Sequence, residues 1–99
     1  MDINKLNEQA TLASYFLKSL ASPIRLKILC QLIDGEKTVG DIASEIDIRD
    51  SLASQHLSLL RRDGVVTNRR EGQAIFYRLE SETAREILVV LYKHYCGNC

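Results

Sequence analysis

Apolar residues recur along this chain with two different periods, and the change of period divides it. From Leu6 to Leu20 they fall at helical spacing, with Leu6, Ala10, Ala13, Phe16, Leu17 and Leu20 on one side, which predicts a helix over 5–20. Ser22 suits an N-cap and Pro23 suits the first helical position, where its missing N–H costs nothing. A second helix therefore runs from there to about Ile33, with Gly35 as its C-terminal stop. Thr38 opens a short third helix, with Val39, Ile42, Ala43 and Ile46 on its apolar face and Asp41 placed for a capping box. A fourth helix is expected over Asp50 to Arg62, capped by Asp50 or Ser51 and closed by Asp63–Gly64. Past Gly64 the period drops to two. "VVTNRR" and "AIFYRL" read as strands on either side of "EGQ", with Gly72 supplying the turn and Arg69–Arg70 at the hairpin tip. Ser81 caps a last helix that reaches Cys96.

Two short helices across a tight turn, followed by a hairpin, predict a mainly α fold with a small β-hairpin wing: a winged helix-turn-helix. The chain is read as one domain over 1–99, with the helix-turn-helix at 38–62 and the wing at 65–79. The last helix carries Ala84, Ile87, Leu88, Leu91 and Tyr95 on one stripe and Val89, Val90 and Tyr92 on other faces. A terminal helix apolar nearly all round needs cover on more than one side. The first helix is its natural companion, so segments 5–20 and 81–96 are expected to build a two-fold homodimer interface. That arrangement lets two recognition helices meet a pseudo-palindromic duplex.

The fourth helix adds chemistry. Ser51, Ser54, Gln55, Ser58 and Arg62 share one outer stripe, where a solvated face normally carries Glu and Lys. Small hydroxyls, an amide and an arginine suit close approach to base edges and phosphates, although a merely polar surface would look similar. Charge sharpens this picture. The chain is neutral overall, with 13 basic and 13 acidic residues, which argues against indiscriminate binding to nucleic acid. Yet residues 49–70 carry five basic side chains and two acidic ones, a basic island inside an acidic frame. Arginines on a hairpin after such a helix are placed to touch DNA phosphates or the minor groove.

The chain shows no signal-peptide pattern and no long apolar run, so a cytoplasmic protein without membrane contact is expected. Three cysteines in that compartment point to reactive thiols or metal ligands sooner than to a disulfide framework. Cys96 and Cys99 form a C-x-x-C at the very end. A thiol oxidoreductase places that motif at a helix start, where the first thiol's pKa drops. Here it follows a helix, so no enzyme is expected. Cys30 read by itself is equally a small buried hydrophobe, and Cys99 a loose tail.

The segments "LKSLASPIRLKILCQLIDGEKTVGDIA" and "SLASQHLSLLRRDGVVTNRREGQAIFYRL" together resemble the arsenic-repressor (ArsR/SmtB) family of bacterial winged-helix regulators. The likeness covers roughly residues 14–96. It implies a homodimer that binds double-stranded operator DNA and answers to an inducer. It places DNA-reading positions at Asp50, Ser51, Ser54 and Gln55, with Arg70 in the wing. Many relatives have glutamine where this chain has Asp50. An aspartate there would repel a phosphate, so Ser54 and Gln55 are the better base readers. The family's usual metal ligands are missing: "TVGDIA" has no cysteine, and the last helix offers His94 with Glu82 and Glu86 turns away. No metal or cofactor is therefore expected.

Cys30 in "ILC" and Cys96 in "LYKHYC" instead resemble the thiol pair of the family branch that senses reactive sulfur species. That branch includes the biofilm growth-associated repressors and the hemolysin-activating regulators of vibrios. The resemblance implies a persulfide or polysulfide inducer that bridges the two thiols and lowers operator affinity. Both cysteines fall near helix C-termini, whose dipole disfavours a thiolate; Lys93, His94 or Lys27 would offset this only if folded against them, which the sequence does not fix. The rival reading is a thiophilic metal or arsenite sensor that uses Cys30, Cys96 and Cys99.

Overall fold

The computed structural model describes residues 1–97; the Cys99 expectations lie outside it. The chain runs α1 (Ile3–Leu20), α2 (Pro23–Gln31), β1 (Lys37–Thr38), α3 (Val39–Glu45), α4 (Asp50–Arg62), β2 (Val66–Glu71), β3 (Ala74–Leu79) and α5 (Glu82–Tyr95). This is a winged helix-turn-helix.

Side-chain caps set most helix starts. The Ser22, Thr38 and Ser81 hydroxyls accept from the Arg25, Asp41 and Ala84 amides, and each satisfies one of the first-turn N–H groups that lack a helical partner. Asp2 does the same for Asn4 and Lys5, so α1 begins two residues before the expected start. The expected cap of α4 is corrected. Arg49 holds the cap position with extended backbone and no side-chain cap bond, while Asp50 and Ser51 already lie inside the helix. The Arg49 carbonyl accepts from both Leu52 and Ala53 at 3.1 Å, so the backbone alone closes the first turn.

Helix α2 also ends earlier than its apolar pattern suggests. Its last turn tightens, with the Leu32 amide on the Leu29 carbonyl at 3.0 Å, and the chain turns away through Gly35 at φ 146°. The helix-turn-helix corner turns at Asp47, whose φ is 56°, a left-handed conformation that aspartate tolerates better than most residues.

The hairpin is part of a three-stranded antiparallel sheet in the order β1-β3-β2. Strand β1 was not expected from sequence: Lys37 pairs with Tyr77 and Thr38 with Phe76. The tip is Gly72–Gln73, and Arg70 and Arg69 pair with Ile75 and Phe76, the second and third rungs below it after Glu71–Ala74. The arginines therefore flank the wing's sheet and do not form its tip. Successive strand residues face opposite ways, so the two side chains leave the sheet on different faces.

The core joins Ile28, Leu29 and Leu32 to Ile42, Leu57, Leu60, Val65, Val66, Leu79, Ala84 and Leu88. Burying each large side chain contributes about 1.5–3 kcal/mol, enough to fix α4 against α2, α3 and the wing. The Val65 carbonyl accepts from Glu80 at 2.9 Å and Ser81 at 3.2 Å, which anchors the start of α5 beside the wing. Helix α1 contributes little to this core, with Ser19 and Leu20 its buried residues. Among the described residues, no helix is long and apolar enough to cross a membrane.

Candidate functional site

Helix α4 buries Ala53, Leu57 and Leu60 and turns its opposite side to solvent. Ser51, Gln55, Ser58 and Arg62 are exposed there, and Ser54 is half-buried at the stripe's edge. The outward stripe is thus polar and short-chained, as close contact with a groove floor requires. Asp50 sits at the α3 end of the helix: a Cβ added to Gly40 would lie 4.0 Å from Asp50 Oδ2. Arg62 Nε lies 3.2 Å from Asp63 Oδ1 in an exposed pair, which tempers its charge without hiding it. On the flank of α4, His56 Nδ1 accepts from Arg25 Nε at 3.2 Å. Burial, and then the Arg25 charge, hold the His56 pKa below its ordinary value.

In the wing, Arg70 is exposed. Arg69 is committed elsewhere. Its Nε donates to both Glu36 carboxylate oxygens, at 3.1 and 3.0 Å, and its Nη1 to Glu71 Oε2 at 2.6 Å. The guanidinium also lies 4.5 Å over the Phe76 ring. The hydrogen bond from Arg69 lowers the Glu36 pKa, and those to Glu36 and Glu71 raise that of Arg69.

A second region lies between α2 and α5. A groove of about 510 Å³ is lined by Cys30, Ile33, Asp34, Val89, Tyr92, Lys93 and Gly97. Cys30 and Cys96 are both exposed and no disulfide joins them. Cys96 ends α5 as its C-cap, with its amide on the Tyr92 carbonyl at 2.7 Å. Gly97 then folds back so tightly that a Cβ there would come within 2.8 Å of Lys93 Cα. Only glycine fits, so this residue holds the turn that follows Cys96. Partial burial pushes the Cys30 thiol pKa up, and the nearby Cys96 pushes it further. Both causes acting on Cys30 raise its pKa, and no cation is among them.

These features match known regulators. Residues 22–68 match the model of the bacterial regulatory protein arsR family. The chain is 38% identical over 96 residues to the transcriptional activator HlyU of Vibrio cholerae serotype O1, covering 97% of this chain and 89% of that one. The chain belongs to the ArsR family. It is 41% identical to the biofilm growth-associated repressor of Agrobacterium fabrum, over 93% of this chain and 79% of that protein. The crystal structure of the transcriptional repressor BigR from Xylella fastidiosa superposes with a TM-score of 0.90 at 35% identity, covering 99% of this chain and 100% of that one.

As an ArsR-family member the chain is a DNA-binding transcriptional regulator. Among its described residues, no group of three or more His, Cys, Asp or Glu side chains is disposed to hold a metal ion. Sequence reasoning missed three side chains that tie elements around these regions together: Glu36, Arg25 and Arg85. Glu36 meets Arg69 across 33 positions, Arg25 meets His56 across 31, and Arg85 meets the Ile33 carbonyl across 52. Each is a charged residue on an exposed or half-buried stretch, and no local spacing marks such pairs.

Proposed function

We propose that this chain works as a homodimer on a pseudo-palindromic operator, and that joining Cys30 to Cys96 through sulfur lowers its DNA affinity. The sensing half is supported by the placement of Cys30 on the groove between α2 and α5, of Cys96 at the α5 C-cap next to Gly97 of that groove's wall, and by the Cys96 charge that acts on Cys30. The Cys96 charge acts on Cys30, so a bridge that removes both thiolates also removes that repulsion. Burial raises the Cys30 pKa, which lowers its thiolate fraction. We take Cys96 as the first nucleophile. Its thiolate attacks a sulfur of an organic polysulfide and expels a sulfur anion. The Cys30 thiolate then attacks the resulting mixed disulfide and expels the organic thiolate. The cysteine pair loses two electrons to the polysulfide, and its two protons pass to the expelled anions or to water. Attack at an inner sulfur leaves a longer bridge.

Apolar side chains left uncovered support the dimer. On α1, Leu12 is 67% and Leu17 53% exposed; on α5, Val90 is 55% and Tyr95 84% exposed. A groove between these helices is lined by Leu12, Ala13, Phe16, Leu17 and Ile87. A second copy would cover this surface and set two α4 helices at a fixed separation. In this reading Ser54 and Gln55 face base edges, while Ser51, Ser58, Arg62 and Arg70 face phosphates. Asp50 and Arg69 stand aside, the first facing α3 and the second held by carboxylates. A bridge between α2 and α5 changes the packing that sets the α4 separation.

The test is treatment with an organic polysulfide, and in parallel with zinc and arsenite, followed by intact-mass analysis, peptide mapping and an operator-binding titration. A Cys30–Cys96 bridge that forms together with release of DNA is the expected result. Release from the Cys30→Ser protein would sink the thiol-pair reading, and release by arsenite or zinc alone would replace it with the metal reading.

A further inference from the structure

The short loop between α2 and β1 is fastened at both ends to parts of the fold that it does not belong to. At its start, Arg85 of α5 donates from Nη1 to the Ile33 carbonyl at 2.7 Å. That carbonyl follows the last turn of α2, where helix carbonyls lack an internal partner, and a guanidinium makes the bond charge-assisted. At the loop's end, Glu36 grips Arg69 of the wing through both carboxylate oxygens. Between the two fastenings stand only Asp34 and Gly35, and Gly35 bends the chain at φ 146°, a conformation that side chains rarely adopt. Ile33 and Asp34 are themselves walls of the Cys30 groove. The wing end is fastened too. Arg69 is held by Glu36 and Glu71 and stacks on Phe76, which pairs with Thr38 of β1 on one side and with Arg69 on the other.

We infer that Glu36 and Arg85 are positioning residues, and that the loop they fasten carries the geometry of the α2–α5 groove to the wing. Any change in spacing between α2 and α5 acts on the Ile33 carbonyl through Arg85. The fixed bend passes it to Glu36, and Glu36 turns the Arg69 rung of the hairpin. Arg70 is the next residue on β2 and faces the other way, so a small rotation of that rung moves Arg70 relative to a bound phosphate. The salt bridge therefore aims its neighbour's charge. The fastening itself follows from the geometry alone; its use as a signal rests on the thiol reading above.

Two measurements separate these points. The first is a double-mutant cycle on the full chain with Glu36→Gln and Arg85→Gln, reading hydrogen exchange at the β2 and β3 amides and affinity for an operator duplex. Each single change is expected to speed exchange around Arg69 and Phe76 and to weaken DNA binding about 5-fold, and the double change to add nothing beyond the larger single effect. Additive effects would overturn the link. The swapped pair Glu36→Arg with Arg69→Glu is expected to restore slow exchange; if it does not, the grip of Glu36 on Arg69 is not what holds the wing. The second measurement compares the loss of affinity on polysulfide treatment in the native chain and in Glu36→Gln, with bridging checked by intact mass. The link predicts at least a 3-fold smaller loss in Glu36→Gln at equal bridging, and an equal loss counts against it. If the native chain forms no bridge, the thiol reading fails and the cycle alone decides the link.

Discussion

Arg25 Nε donates to His56 Nδ1 at 3.2 Å, and the same guanidinium reaches the Ser19 carbonyl through Nη1 at 3.1 Å. One side chain at the start of α2 thus ties the recognition helix to the end of α1. The bond needs a neutral imidazole as acceptor. Burial first and the Arg25 charge second hold the folded His56 pKa below its ordinary 6.5. The sign follows: between the folded and unfolded pKa values the unfolded chain binds more protons, so stability rises with pH through that window. Stability due to His56 is then whole above about pH 7.5 and is lost as pH falls through 6.5 towards the depressed folded value. Urea titrations between pH 7.5 and 5 should show this decline in the native chain and a flatter profile in His56→Gln. Equal slopes would mean that His56 is not the group responsible.

Cys30 offers a second titration, now read by chemistry. Burial is the larger cause of its raised pKa and Cys96 the smaller. Replacing Cys96 with serine removes the second cause and leaves the first. Alkylation of Cys30 with iodoacetamide, followed across pH, should therefore have its midpoint above the ordinary thiol value in the native chain. In Cys96→Ser that midpoint should move down without reaching that of an unburied cysteine. An unmoved midpoint would separate the two thiols electrostatically and remove the support for a shared site.

What the sequence shows here depends on how local the physics is. Caps and periodicities act over three or four residues, so Ser22, Thr38, Ser81 and the five helices were legible. Strand β1 was not, because two residues cannot display a period and it exists only by pairing with Tyr77 and Phe76. The cap of α4 was misread for a related reason. Asp50 and Ser51 are good cap residues, yet the helix enters one residue earlier at Arg49, whose carbonyl closes the first turn without a side-chain cap. The reading stripe of α4 needed only a helical wheel. The arginine pair of the wing needed its register, which sends Arg69 to Glu36 and leaves Arg70 exposed. The thiols were joined by resemblance to a family and not by any spacing in this chain; the groove that Cys30 lines and its coupling to Cys96 are tertiary facts.

The two faces of the wing and the stripe of α4 predict different mutational signatures. Arg70 is exposed, and the proposed docking sets it against phosphate and no base, so Arg70→Ala should lower affinity for every sequence alike, with a smaller dependence on salt. Gln55 is an exposed amide that the proposal sets against a base edge, so Gln55→Ala should relax the choice at one base pair per half-site, at a cost of about 1–3 kcal/mol for the preferred sequence. Binding titrations against operator variants at two salt concentrations distinguish these outcomes. A uniform loss for Gln55→Ala would move that residue from the base edges to the phosphates.

Leu17→Glu tests the dimer with little risk to the fold. Leu17 lines the groove between α1 and α5 together with Ile87, and it is 53% exposed in one copy of the chain. A charge at that exposure is tolerable in a monomer, because water still reaches it. It is not tolerable where a second copy covers the groove, since burying an unpaired carboxylate costs several kcal/mol. Helix α1 adds little else to the core beyond Leu20 and the flank of Phe16, so the helix-turn-helix and wing should remain folded. Sedimentation should therefore show the native chain as a dimer and Leu17→Glu as a folded monomer with an unchanged helical spectrum. Operator affinity should fall much further than half-site affinity, because two linked recognition helices gain from effective concentration while a lone one does not. A Leu17→Glu protein that stays dimeric and keeps full operator affinity would place the interface elsewhere on α1 and α5. The exposed side chains Val90 and Tyr95 would then be the next positions to charge.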